Sequence, residues 1–185
     1  YRELSRLYMN QILTKLERPD GLSDRAYDRS TGRRSPTVRM TRGLGWAMEG
    51  LLANHRLDPG GRWLGLARKM GEHLLTAQQK EGYWAFNFDR PASEVGISEK
   101  GTALWSLLFY RAYTASGDTR YRESARRALR WCIDNQYAGS DPEAHGGLVG
   151  VSPHSAVGYR AWFRVACTYA SGFFGLAVLE ELNGA

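Results

Sequence analysis

Residues 104–110 have the sequence Leu104-Trp105-Ser106-Leu107-Leu108-Phe109-Tyr110, which is apolar on almost every side of a helix. In a chain dissolved in water, such a helix must be surrounded by other parts of the protein. A tight turn at residues 116–119 follows it, and the next segment has one apolar face and one charged face. The pattern predicts a helical hairpin with a buried inner helix and an amphipathic outer helix.

This hairpin has an earlier copy in the chain. The two copies share matched positions at the starts and ends of their helices: Arg42 with Lys100, Gly43 with Gly101, Trp63 with Tyr121, Ala67 with Ala125 and Gln78 with Gln136. The earlier copy predicts an inner helix at about 43–57, equivalent to the one at about 101–115. Repeated helical hairpins build solenoids and closed toroids.

Two further helices are predicted, an outer-type helix at about 1–17 and an apolar helix at about 168–183. We therefore predict an all-α fold in which helical hairpin repeats form about half of an (α/α)6 toroid. Residues 1–185 would be a single partial toroid domain whose N-terminal half is missing. Because a repeat cannot bury its apolar faces alone, the remaining helices of the toroid are expected partners, from the same polypeptide or from another chain.

Long polar and aromatic segments separate the helices at about 19–41, 82–97 and 138–165. Loops of this length inside a compact domain are usually functional. The first contains turn residues at Asp20-Gly21 and again at residues 28–32, so a short hairpin is expected within it.

Composition narrows the classes of partner. The formal net charge of +6 favours anionic partners, but no nucleic-acid-binding signature accompanies it. No apolar run approaches the roughly 20 residues of a membrane helix. The two cysteines, Cys132 and Cys167, have no neighbouring ligands at metal-site spacing. We therefore predict an anionic partner, with uronic-acid sugars among the candidates, no nucleic acid, no membrane, no metal or other cofactor, and two buried thiols.

Arg42 and Lys100 occupy equivalent positions at the starts of the two inner helices, so both are expected at one rim of the central cavity. Two cations at one rim suit a carboxylate ligand. They could instead pair with loop acids such as Asp89 or Glu99. A cation at the electropositive end of a helix is electrostatically disfavoured, which favours a functional reason for its presence.

Aromatic residues suggest platforms for a sugar ring. Trp46 follows Arg42 by one helical turn and shares its face, although a Trp on an inner helix is commonly a core residue. Trp84 lies in the aromatic segment 83–89, which either binds a ligand or folds down to plug the end of the toroid.

Two residues of the last loop, His154 and Ser155, are candidates for contacts to sugar hydroxyls, with simple solvation as the alternative. Paired carboxylates would serve glycoside chemistry, and the loops contain four aspartates that spacing does not distinguish: Asp20, Asp24, Asp28 and Asp89. The sequence identifies no catalytic residue.

A resemblance to a known family rests on one longer segment and on several shorter ones that occur in the same order as in that family. Residues 40–51, Met40-Thr41-Arg42-Gly43-Leu44-Gly45-Trp46-Ala47-Met48-Glu49-Gly50-Leu51, resemble the Trp-x-Arg-Gly-Gln-Ala-Trp motif of unsaturated glucuronyl and rhamnogalacturonyl hydrolases, glycoside hydrolase families 88 and 105. The likeness extends through residues 18–21, 27–32, 83–86, 117–121, 146–149 and 169–176. It spans nearly the whole chain but only the later half of such an enzyme.

The resemblance implies an (α/α) six-hairpin barrel that hydrates the vinyl ether of a 4,5-unsaturated uronic acid. Arg42 and Trp46 would contact the uronate, the loop with His154 and Ser155 would touch the sugar, and the catalytic aspartates would lie outside this chain. Three positions depart from the family: Met40 stands where the motif has Trp, Leu44 where it has Gln, and Arg25 near an expected His.

We therefore predict a glycoside hydrolase-like protein acting on anionic, uronic-acid-containing oligosaccharides, from the bacterial cytoplasm or periplasm. Two alternatives stay open. One is a non-catalytic helical module that binds a protein or a carbohydrate. The other is a toroidal isomerase or cyclase, suggested by the single Gln79-x-x-Gly82-x-Trp84 pattern.

Overall fold

A computed structural model describes residues 2–148 and 167–184 of the chain. These residues form the predicted all-helical fold. The helices, in chain order, are α1 (Arg2–Leu16), α2 (Thr41–Leu57), α3 (Trp63–Ala77), α4 (Ala92–Val95), α5 (Glu99–Ser116), α6 (Thr119–Asp134) and α7 (Thr168–Leu182). Six of them lie where the sequence predicts helices, and α4 is an additional single turn in the loop before α5.

The helices form an inner and an outer layer. Helix α5 is buried on almost every side and packs against α2, α6 and α7, as its all-round apolar sequence predicts. Helices α3 and α6 pack on α2 and α5 and bury one face each. The inner layer is therefore α2, α5 and α7. We call the side of these three helices that is turned away from α3 and α6 the inner face.

The two hairpin copies are structurally equivalent. Trp63 and Tyr121 are buried in the first turns of α3 and α6. The amide of Gln78 donates to the carbonyl of Gly82 at 2.8 Å, and that of Gln136 donates to the carbonyl of Gly146 at 2.6 Å. Each glutamine thus ties the end of an outer helix to the loop that follows it, which explains why both copies keep this residue.

The first and last helices carry exposed apolar side chains. Helix α1 has no buried residue and contacts α2 through Met9, Leu13 and a hydrogen bond from Ser5 to Asn54. The exposed apolar residues on α1 are Leu4, Leu7, Tyr8 and Ile12, and those on α7 are Tyr169, Leu176, Leu179 and Leu182. Such faces are expected at the two ends of an arc of hairpins.

The loop before α2 folds into the predicted short hairpin. Antiparallel bridges join Glu17 to Ser23, Asp24 to Thr37 and Tyr27 to Arg34. At its tip, Asp28 accepts hydrogen bonds from the hydroxyl and the backbone N–H of Ser30. These bonds, the side-chain ones foremost, lower the pKa of the Asp28 carboxyl to about 2. The Asp28 carboxylate therefore stabilises the turn.

No helix in residues 2–148 and 167–184 has the length and apolar character to cross a membrane.

The two thiols differ in accessibility. Cys132 is fully buried, as predicted, and burial raises the pKa of its thiol to about 12. Cys167 is only half-buried, so the prediction of two buried thiols is wrong for this residue. Because the thiolate is the reactive form, we expect a disulfide reagent at pH 8 to modify Cys167 in the folded protein and both thiols after denaturation, as read by mass spectrometry. Equal labelling rates in the folded protein would contradict this.

Candidate functional site

The loops that precede α2 and α5 are joined by backbone hydrogen bonds. The N–H of Thr41 donates to the carbonyl of Phe86 at 3.0 Å, and the N–H of Phe88 donates to the carbonyl of Arg39 at 3.1 Å. In turn, the N–H of Phe86 donates to the carbonyl of Gly96 at 2.8 Å. The end of the loop before α2 and two parts of the loop before α5 therefore form one support for the N-termini of both inner helices, which we call the rim.

The first turns of α2 and α5 touch at this rim. The indole N–H of Trp105 donates to the carbonyl of Thr41 at 2.8 Å. A Cβ atom added to Gly101 would lie 3.1 Å from the Thr41 methyl group. Because Arg42 and Lys100 are direct neighbours of Thr41 and Gly101, the structure places both predicted cations at the same rim. Both side chains are partly exposed.

Arg42 and Trp46 form a pair on α2. The guanidinium carbon of Arg42 lies over the Trp46 ring, 5.9 Å from its centroid. Trp46 is 59% exposed, so the alternative that it is a core residue is wrong for this chain. The arrangement presents a planar cation beside an open aromatic face.

Trp84 is not a sugar platform, and this prediction is wrong. The side chain is fully buried, and its indole N–H donates to the carbonyl of Leu74 at 2.6 Å. Its ring meets Phe109 edge to face at a centroid distance of 5.8 Å. Because Trp84 follows a turn that brings the loop back over α3 and α5, it faces the core.

The rest of the aromatic loop is mostly packed as well. Tyr83 lies against Trp131 with ring centroids 5.7 Å apart, and Phe88 packs on the core. Phe86 is 37% exposed. The loop therefore plugs one end of the arc, which was one of the two alternatives predicted for segment 83–89. Phe86 stays partly exposed at the rim.

The four loop aspartates all have structural partners. Asp24 is buried and contacts Arg18 at 3.6 Å and Arg34 at 3.8 Å. Asp20 and Asp28 accept backbone N–H groups in their turns, and Asp89 pairs with Arg39. Asp20, Asp24 and Asp28 therefore stabilise the hairpin before α2, and Asp89 stabilises the rim. His154 and Ser155 lie outside the described residues.

The structure shows a carboxylate on the inner face that the search for loop acids missed. Glu49 and Glu180 flank Arg111, so that α2, α5 and α7 each contribute one member of an ion-pair chain. These residues line a cleft of about 690 Å³. Glu49 could have been found from its spacing, because it follows Trp46 by three positions. Within the described residues, no group of three or more His, Cys, Asp or Glu side chains is arranged to hold a metal ion.

The architecture is that of an (α/α)6 toroid, present here over about half of its circumference. Comparison with solved structures supports this assignment. No protein-family model and no curated protein matches the sequence.

Three similar structures are glycoside hydrolases of the type that the sequence resembles. A possible member of glycoside hydrolase family 105 from Salmonella enterica serovar Paratyphi A has 18% identity and a TM-score of 0.74, over 98% of this chain and 49% of that one. The unsaturated glucuronyl hydrolase of Bacillus sp. GL1, responsible for the degradation of glycosaminoglycan, has 18% identity and a TM-score of 0.73, over 100% and 53%. An unsaturated glucuronyl hydrolase specific for heparin has 15% identity and a TM-score of 0.77, over 97% and 53%.

The predicted resemblance and the predicted fold class are thus confirmed at the level of structure. The chain spans about half the length of the structures that it matches.

Proposed function

We propose that this chain is part of a glycoside hydrolase-like toroid that acts on anionic oligosaccharides with a terminal uronic acid. The observation that carries the proposal is the Arg42–Trp46 pair at the rim. An indole face can stack on the C–H groups of a sugar ring, while a guanidinium binds a carboxylate with two parallel hydrogen bonds. Trp46 is open to ligand, and Arg42 lies beside it.

Lys100 is proposed as a second group for the same ligand. It lies at the start of α5, next to the first turn of α2. An ammonium group is a point charge that attracts an anion without fixing its orientation. In this assignment Arg42 orients the uronate, and Lys100 adds to the positive potential of the rim. His154 and Ser155 remain proposed contacts to the sugar.

The chemistry would be completed by residues outside this chain. We propose that residues 1–185 are one partial toroid domain, closed by further helices that cover the apolar faces of α1 and α7. The half-length match to the similar structures and the exposed side chains on α1 and α7 support this. By resemblance, an aspartate in those helices would protonate a 4,5-unsaturated uronyl substrate and then activate water.

Replacing Arg42 by alanine tests the uronate site. We expect Arg42→Ala to weaken the binding of a disaccharide that ends in glucuronate by about 10- to 100-fold, because a charge-assisted hydrogen bond contributes about 1.5–3 kcal/mol. Isothermal titration calorimetry on the full polypeptide would measure this loss. The carboxyl-reduced disaccharide, which ends in glucose, should be affected far less.

Arg130→Ala is the matched control. Arg130 lies on the outer helix α6 and pairs with Asp134 at 3.0 Å, so its removal makes the same change in net charge away from the rim. If both variants lose affinity equally, Arg42 acts only through overall charge, and the uronate site is not at the rim.

A further inference from the structure

Glu49 lies on the same face of α2 as the proposed uronate site. Trp46 follows Arg42 by four residues, and Glu49 follows Trp46 by three. Residues three and four apart on a helix are neighbours on its surface. Arg42, Trp46 and Glu49 therefore follow one another along one side of α2, over about 10 Å at 1.5 Å per residue. Trp46 borders the groove beside α1, and Glu49 borders the cleft beside α5 and α7.

The Glu49 carboxylate is open and weakly engaged. Its side chain is 47% exposed. Arg111 approaches it at 3.6 Å, too far for a hydrogen bond, while the Nε–H of Arg111 donates to Glu180 at 3.0 Å. In the described part of the chain, Glu49 thus has an ion-pair partner but keeps the hydrogen-bond acceptors of its oxygens available.

The space beside Glu49 is large enough for a saccharide. The cleft that Glu49 lines has a volume of about 690 Å³, within the roughly 300–1,000 Å³ range of small-molecule sites. Its walls combine charged groups, Arg56 and Arg111 among them, with the exposed apolar surface of Ala53 and Pro59. Mixed walls of this kind suit a ligand with hydroxyl groups and C–H faces.

We propose that Glu49 is a saccharide-binding residue that accepts hydrogen bonds from hydroxyl groups of the oligosaccharide whose uronate is held by Arg42. This inference rests on the proposed function and extends its site along α2. The ligand class follows from the chemistry: a carboxylate accepts O–H donors, and it disfavours a second acidic sugar at this position. The site therefore takes a uronate at Arg42 and a neutral, hydroxyl-bearing part of the ligand at Glu49.

Arg111 is a positioning residue in this arrangement. It comes from α5 and contacts Glu49 of α2 and Glu180 of α7. Its guanidinium thus links the Glu49 carboxylate of α2 to the Glu180 carboxylate of α7. It also offsets the repulsion that Glu49 would exert on an anionic ligand.

Glu49→Gln tests the assignment with little change in shape. Two probes are compared by calorimetry, the glucuronate-terminated disaccharide and its carboxyl-reduced, glucose-terminated counterpart. We expect the variant to bind both probes about tenfold more weakly, because an ionised acceptor forms a stronger hydrogen bond than an amide does. Glu123→Gln makes the same change in charge on the exposed side of the outer helix α6, away from the cleft and the rim, so less than a twofold change is expected from it.

Opposite results would overturn the proposal. If Glu49→Gln strengthens uronate binding and leaves the reduced probe unchanged, Glu49 acts only by repulsion. If Glu49→Gln and Glu123→Gln weaken binding equally, only net charge is involved. If the lost affinity of Glu49→Gln comes with a fall in melting temperature, the role is structural. If Arg42→Ala gives its expected loss and Glu49→Gln gives none, this inference alone fails. A wild-type chain that binds neither probe overturns the proposed function and this inference with it.

Discussion

Trp84→Ala should destabilise the protein by about 3–5 kcal/mol, the usual range for removing a buried aromatic side chain. The indole fills space between the loop and helices α3 and α5, and the structure leaves none of its surface exposed. The substitution also removes one of the two donors of the Leu74 carbonyl, the indole N–H at 2.6 Å, and leaves the backbone N–H of Gln78 at 3.1 Å. A urea titration followed by circular dichroism would measure the change in the free energy of unfolding.

Trp46→Ala is the matched control for this change. Both variants remove one indole, but Trp46 is mostly exposed and should alter stability by about 0.5 kcal/mol or less. We expect it to abolish most of the affinity for the glucuronate-terminated disaccharide instead. If Trp84→Ala kept its stability and lost sugar binding, Trp84 would be a binding platform and its buried position would be wrong.

The helical fold could be predicted from the sequence because its signals are local. The all-round apolar segment of α5, the one-sided segments of α3 and α6, and the turn at residues 116–119 each indicate a helix or its end without knowledge of the rest. The repeat then indicates that the helices pair as hairpins. Burial in the structure follows the same pattern, with Trp63 and Tyr121 in equivalent core positions.

The roles of the aromatic residues could not be predicted with the same success. Trp84 lies in a polar loop and Trp46 on an apolar helix, so composition alone suggests the reverse of what the structure shows. Loop residues become core residues when the loop folds back, and the loop is held by a hydrogen bond from Thr41, which is far away in sequence.

The structure also explains one position, Leu44, that departs from the Trp-x-Arg-Gly-Gln-Ala-Trp motif. Leu44 stands where the motif has Gln, and its side chain is fully buried in the main core cluster. A polar side chain buried there would need hydrogen-bond partners, whereas leucine adds apolar contact. The substitution therefore changes the core under the rim and leaves the exposed pair of Arg42 and Trp46 in place.

Gly82→Ala should destabilise the protein by about 2–6 kcal/mol, the sum of backbone strain and overpacking. Gly82 has a φ of +105°, which side-chain-bearing residues rarely adopt. A Cβ atom there would lie within 2.3 Å of the carbonyl oxygen of Arg127 on α6. A backbone atom inside a helix cannot rotate away as a side chain could, so the loop must shift.

That shift should reach the proposed binding site, because Gly82 begins the loop that supports the rim. The carbonyl of Gly82 accepts the Gln78 amide at 2.8 Å, and four residues later the carbonyl of Phe86 accepts the N–H of Thr41. We therefore expect lower affinity for the glucuronate-terminated disaccharide together with the lost stability.

Gly117→Ala is the control, since Gly117 also has a positive φ, +71°, but no atom lies within 4 Å of its added Cβ. It should cost only about 1–2 kcal/mol from strain and leave binding unchanged. Equal costs at the two glycines would mean that the loop is not anchored by its close approach to α6.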